Sequence, residues 1–253
     1  MSGATLTARG LSAGHGRGLV FDGLDFSLHA GEVVALLGPN GCGKTTLLRC
    51  LLGLHRPVRG EVRLDGAPLT QVPALQRARR MAYVPQYHRL AFGYRVLDIV
   101  LMGRLAGRGM FARAGEHDRS HALASLARVG MEAFAQHPYT ELSGGQRQLV
   151  LIARALCQDA DILLLDEPVN NLDYGNQLRL LDAIRQLGSA RRAVLFTTHH
   201  PEHALHVASR AVLMKAGRVL AEGAPQVALD AAAIAGLYDL DSDMALGACA
   251  VVS

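Results

Sequence analysis

The pattern of apolar and polar residues changes character several times along this chain. Residues 4 to 37 read as short strands: Leu24, Phe26 and Leu28 alternate with polar neighbours, a turn follows at Ala30-Gly31, and Val33-Val34-Ala35-Leu36-Leu37 is apolar throughout. Alternation marks a strand with one covered face, whereas a short unbroken run fits a strand covered on both faces of a parallel sheet. Glu61 to Leu64, Met81 to Val84, Ile162 to Leu165 and Ala193 to Thr198 read as further strands. A hairpin is expected over Val212 to Ala221, turning at Lys215-Ala216-Gly217-Arg218. Residues 95 to 157 carry a mainly helical pattern instead, so a helical segment interrupts an α/β framework.

Composition narrows this only a little. The chain has 253 residues, half of them hydrophobic and 19% charged, enough to bury roughly three-quarters of its unfolded surface in one domain or one domain with a lobe. The net charge of +4 fits a phosphate ligand, an anionic lipid, a nucleic acid or a plain solvated surface. No stretch approaches the roughly 20 apolar residues that span a bilayer. The first residues, Met1 to Leu6, lack the charged and then apolar pattern of a signal peptide. Cys42, Cys50, Cys157 and Cys249 form no Cys-x-x-Cys pair, so reduced cytoplasmic thiols are expected. A role at a membrane would then be played from the inside face, through a partner.

Three motifs carry chemistry. Gly38-Pro39-Asn40-Gly41-Cys42-Gly43-Lys44-Thr45-Thr46 matches the phosphate-loop pattern and lies between an apolar strand and an apolar helix. Its glycines let backbone N–H groups turn inward on phosphate, and the helix starting near Lys44 adds its positive end. Lys44 is placed to neutralise β- and γ-phosphates and Thr45 to put its hydroxyl on Mg²⁺. Cys42, beside the same helix end, is expected to favour its thiolate. Second, Ile162-Leu163-Leu164-Leu165 ends in Asp166-Glu167-Pro168, and the carboxyl ends of parallel strands are where such sheets present ligands. Asp166 is suited to Mg²⁺, which leaves Glu167 to polarise an attacking water as general base. Third, Leu142-Ser143-Gly144-Gly145-Gln146 precedes an apolar helix. Ser143 with Gln146 forms a capping box, an ordinary helix start. The glycine pair is not explained by that, since glycine weakens a first turn unless something must approach the backbone closely.

In this order, the phosphate loop, the acidic strand end and Leu-Ser-Gly-Gly-Gln resemble the nucleotide-binding subunits of ABC transporters, from about residue 4 to residue 223. The resemblance implies a P-loop NTPase core of mainly parallel sheet with an N-terminal antiparallel β subdomain and an inserted helical lobe. Residues 1–86 and 158–253 would form the core and 87–157 the lobe, within one domain spanning 1–253. It implies ATP and Mg²⁺ as ligands and a second copy of the chain as partner. Ser143 and Gly145 would contact the γ-phosphate of ATP held by the opposite copy, with Gly144 and Gln146 also among the ATP-binding residues. Gln86 matches the glutamine that links Mg²⁺ and water to the lobe, and His199 the switch histidine at the γ-phosphate. Asp173 matches the dimer-contact loop, although Asn170-Asn171 replace its usual small residues. In place of the family's adenine-stacking Tyr or Trp stands Ala13-Gly14-His15-Gly16, so His15 would have to stack on the base with a smaller ring.

Other readings stand beside these. His199, His200, His203 and His206 invite a metal site, but no carboxylate or cysteine cluster closes the set. Arg77, Arg79, Arg80, Arg104, Arg108 and Arg113 are read as a solvated face, with no nucleic-acid partner expected. Exporters of the family commonly fuse this domain to membrane helices; its soluble members in translation or DNA repair commonly carry two copies or a long insertion. The single copy and short lobe here resemble an importer subunit instead. Phe92 to Arg104, Thr198 to Ala204 and Ala235 to Tyr238 resemble the branch that imports iron–siderophore complexes, haem, cobalamin or molybdate. That likeness implies two integral membrane subunits, an extracytoplasmic substrate-binding protein, and a peripheral position on the cytoplasmic face of the membrane.

Overall fold

The computed structural model describes residues 5–16, 18–86, 93–108, 113–170, 172–189 and 192–240. Two long strands, β1 (Thr5–His15) and β2 (Gly18–His29), open the chain as an antiparallel pair. The short strands expected over residues 4 to 29 are therefore two continuous ones. Register shifts after Ala8, Leu11 and Ala13 absorb the breaks in alternation, as bulges do without ending a ladder. After β3 (Val33–Leu37) and α1 (Lys44–Leu51), β4 (Arg59–Leu64) returns to pair with β1 and with the two-residue β5 (Ala67–Pro68). The first sheet thus has the order β2-β1-β4-β5. Next come α2 (Ala74–Arg80) and β6 (Met81–Val84), then a lobe of α3 (Val96–Leu105), α4 (Glu116–Arg128) and α5 (Gly144–Gln158), which pack on one another.

The chain then alternates β7 (Ile162–Leu165), α6 (Tyr174–Ser189), β8 (Ala193–Thr198) and α7 (Pro201–Val207) before the hairpin of β9 (Arg210–Lys215) and β10 (Arg218–Gly223). Two short helices, α8 (Pro225–Ala228) and α9 (Ala231–Tyr238), follow. The hairpin turns where the sequence places it, with Ala216 and Gly217 both at positive φ, as a two-residue turn matched to strand twist requires. The second sheet has the order β10-β9-β3-β8-β7-β6, parallel except at β10.

The unbroken apolar runs are explained by two cores, one on each face of this sheet. Val33, Ala35 and Leu37 enter the core on the helical side, while Val34 and Leu36 enter the core shared with α1 and the first sheet. β7 divides in the same way, with Leu163 and Leu165 on one face and Ile162 and Leu164 on the other. Such a sheet has no face left for a ligand. Its carboxyl-terminal edge does, and there β3, β8, β7 and β6 lie side by side at the usual ~4.8 Å strand spacing.

Candidate functional site

Each of these four strands ends in a residue singled out by the sequence: β3 runs into Gly38 and the loop to Lys44, β8 into His199, β7 into Asp166-Glu167, and β6 into Gln86. Their loops close around a cleft of about 480 Å³ lined by Asn40, Gly41, Gly43, Lys44, Thr45, Thr46, Gln86 and Glu167, with Val20 as an apolar wall. Gly43 sits at φ 112°, and a Cβ there would lie 2.8 Å from Val20 Cγ1. The loop therefore depends on glycine both for its backbone and for its close approach to β2. No side chain caps α1, so the N–H groups of its first turn are left to a ligand in the cleft.

Lys44 is buried, and its Nζ donates to the carbonyls of Gly38 (2.6 Å) and Pro39 (3.0 Å). It also lies 3.9 Å from Glu167 Oε1. Cys42 corrects an expectation. Its side chain points into the core beneath the loop and is only 4% exposed, and burial pushes the thiol above its ordinary pKa. The helix end does not produce a reactive thiolate here, because desolvation outweighs it.

The acid pair divides as its chemistry requires. Asp166 Oδ1 accepts from Thr197 Oγ1 at 2.8 Å, and burial raises its pKa while hydrogen bonds from Thr197 and Thr45 lower it. Thr45, Asp166 and Gln86 bring together the all-oxygen donor set that Mg²⁺ takes. A buried carboxylate whose hydrogen-bond partners are hydroxyls is also one that a cation would stabilise.

Glu167 stands at φ 46°, in the left-handed region that a side chain rarely adopts, with its N–H donating to Thr197 Oγ1 at 2.8 Å. Its Oε2 accepts from Gln86 Nε2 at 2.9 Å and from Asn170 Nδ2. His199 Nδ1 lies 3.7 Å from the same oxygen, too long for a hydrogen bond. Among the described residues that buried nitrogen has no partner. Burial first, and then neighbouring His200, depress the pKa of His199, which favours its neutral ring; the residue stands beside Glu167 but not among those that line the cleft.

The remaining candidates lie elsewhere. Ser143 N-caps α5 by the expected capping box: its N–H donates to Gln146 Oε1 (2.9 Å) and the Gln146 N–H to its Oγ (3.2 Å). Ser143 and Gly144 are exposed, none of residues 143–146 lines the cleft, and a Cβ at Gly144 would meet nothing within 4 Å. The fold itself therefore does not require glycine at 144. Asp173 is exposed and caps α6, accepting from the Asn176 N–H at 2.9 Å, and this bond leads in lowering its pKa. The side chain of His15, expected to stack on adenine, and all of Asn171 lie outside the described residues.

The other histidines after β8 have partners. His203 Nδ1 pairs with Thr198 Oγ1 at 3.0 Å, His200 lies 3.1 Å from Glu202, and His206 lies 3.5 Å from Asp182. Among the described residues, no group of three or more His, Cys, Asp or Glu side chains is arranged to hold a metal ion. Of the arginines, Arg80 pairs with Asp65 and Asp161, and Arg104 and Arg108 both pair with Asp118.

Three contributors have roles here that the sequence reading did not assign. Thr197 joins the two acids, Asn170 holds Glu167, and the Tyr238 hydroxyl donates to the His199 carbonyl at 2.7 Å. Thr197 had a signal in the sequence, a polar residue within an apolar strand; the other two are brought in only by folding.

Comparison with known proteins agrees with this geometry. The sequence model of the family described as ABC transporter matches residues 21–170. A hemin import ATP-binding protein, HmuV, of Myxococcus xanthus (strain DK1622) is 37% identical over 244 residues, covering 93% of this chain and 90% of its own. An inward-facing solved structure assigned to the metal-chelate type of ABC transporter matches at TM-score 0.79 and 35% identity, over 93% of this chain and 89% of that one. A dimeric structure of a bacterial ABC transporter cassette matches at TM-score 0.78 and 27% identity, over 87% and 98%. With the cleft, the capped α5 start and these likenesses together, the chain belongs to the ABC transporter family as an ATP-binding subunit.

Proposed function

We propose that two copies of this chain close on two ATP molecules and hydrolyse them to drive import of an iron complex or a related metal chelate through separate membrane subunits. One observation carries the shared site: Lys44, Thr45, Gln86 and Glu167 line one cleft, while Ser143 and Gly144 stand exposed outside it. A helix start carries a positive end that favours an anion, and a glycine there lets one approach the backbone closely. The phosphates in one copy's cleft are of the right charge. The dimeric cassette that this chain resembles supports such pairing.

In this reading Lys44 and the loop N–H groups bind and orient the phosphates. Thr45, Asp166 and Gln86 would hold Mg²⁺, which supplies charge neutralisation at the β- and γ-phosphates when bound. Glu167 Oε2, held by Gln86 and Asn170, takes the proton of the attacking water. His199 places a neutral imidazole beside the γ-phosphate. The nine residues Gly38 to Thr46 and the four from Ser143 to Gln146 act as ATP contacts, with Asp173 at the contact between copies. Residues 87–157 serve as the lobe that carries α5, and 1–86 with 158–253 as the core.

Import of a metal complex is supported by the relatives, a hemin import ATP-binding protein and a transporter of the metal-chelate type. Among the described residues no helix is long and apolar enough to cross a membrane, so the chain would work peripherally on the cytoplasmic face. Two membrane subunits and an extracytoplasmic binding protein would complete the system. The test is ATP turnover by purified chain: Lys44→Ala and Ser143→Arg should each abolish it, although only Lys44 lines the cleft. Full turnover by Ser143→Arg would remove the shared site from this reading.

A further inference from the structure

Outside the stretch matched by the family model, one half-buried phenol touches the sheet edge that carries the cleft. Tyr238 closes α9, and its hydroxyl donates to the backbone carbonyl of His199 at 2.7 Å. Burial pushes that phenol up to about 12, so it stays a donor at every working pH.

The helix is fixed from both ends. Asp230 caps its start by accepting from the Ala233 N–H at 2.7 Å. Lys215, at the end of β9, donates to the Gly236 carbonyl (2.6 Å) and to Asp239 (2.5 Å) at the other end. The same strand also reaches the phosphate loop, since a Cβ on Gly38 would lie 2.1 Å from the Met214 carbonyl. The segment that Tyr238 grips is held on its remaining sides too. The His200 N–H donates to Thr198 Oγ1 at 3.1 Å, and that hydroxyl is paired with the buried His203. The His199 carbonyl is held by a residue remote in sequence. Its imidazole packs on the His200 ring, and its Nδ1, 3.7 Å from Glu167, has no hydrogen-bond partner among the described residues.

We propose that Tyr238 is a positioning residue: by holding the His199 carbonyl, α9 sets the imidazole against the cleft and couples the chain's C-terminal region to ATP turnover. This rests on the reading of His199 as a γ-phosphate contact. Such an anchor acts on the chemical step and leaves nucleotide binding, which runs through the loop and Lys44, untouched.

Tyr238→Phe removes the hydroxyl and keeps the ring, so packing survives. Its kcat should fall between about two- and tenfold, the effect expected of one lost hydrogen bond that positions a reacting group, with KM for ATP unchanged. The His199 ring resonances, assigned by comparison with His199→Ala, should shift in NMR spectra of Tyr238→Phe. An unchanged kcat with unshifted His199 resonances would overturn the proposal, as would a rise in KM matching a loss of thermal stability. His199→Ala separates the two claims. If it turns over ATP normally, the role of His199 itself fails; if it is inactive while Tyr238→Phe is normal, only the anchor fails.

Discussion

Glu167 shows how much a single residue owes to its surroundings. Its left-handed backbone costs roughly 1–3 kcal/mol and persists only where neighbours over-determine it. Here Thr197 takes its N–H, and Gln86 and Asn170 hold its carboxylate. Glu167→Gln keeps the shape and loses the base. Phosphate release should slow at least tenfold, a barrier increase of about 1.4 kcal/mol, while ATP should trap a dimer visible by size exclusion. Near-normal release would take Glu167 out of that role. Cys42 makes a prediction opposite in sign to the one its position beside a helix end suggests. With its thiol buried and its pKa raised, maleimide at pH 7 should modify it at least tenfold faster in denatured than in folded protein, by peptide mass spectrometry. Equal rates would mean that the loop opens freely. At this scale the sequence made Lys44, Asp166 and Glu167 legible because each sits in a motif of fixed spacing. Asn170 and Tyr238 were not legible in their observed roles, because their partners are set by how strands and helices converge.

Among the elements, those whose ends carry special residues were readable in advance. The α1 start at Lys44, the β9–β10 turn and the α5 start follow glycine and capping chemistry. The length of β1 and β2 was not, because a bulge looks in sequence like the end of a strand. The helix α7 begins at Pro201, as its proline demands, and turns His203 inward. Burial pushes the pKa of that ring down to about 4. The unfolded chain takes up this proton as pH falls through about 6.5, whereas the folded protein resists until about 4. The neutral ring therefore favours folding fully above pH 6.5. Between 6.5 and 4 that advantage drains away, by something on the order of 3 kcal/mol at most. Urea midpoints should show this loss in the parent chain and a flatter profile in His203→Gln, since the surrounding carboxylates titrate alike in both. Parallel profiles would mean that His203 takes up its proton at the same pH in the folded as in the unfolded chain.

In the proposed reading the whole molecule offers half of two sites. Its cleft would hold the phosphate-binding and hydrolytic groups, and its exposed α5 start, outside that cleft, would meet the phosphates of the other copy. If Ser143 of one copy completes the pocket around Lys44 of another, then Ser143→Arg and Lys44→Ala fail for different reasons. Either homodimer has two broken sites. A mixed dimer puts both lesions into one site and leaves the other whole, with its Lys44, Glu167 and His199 facing an intact Ser143. The measurement is ATP-dependent crosslinking between tagged copies of the two variants, after exchange of chains has been verified. The account predicts more crosslinked dimer in the mixture than with either variant alone. No gain on mixing, together with normal ATP-driven dimerisation of Ser143→Arg by itself, would contradict it.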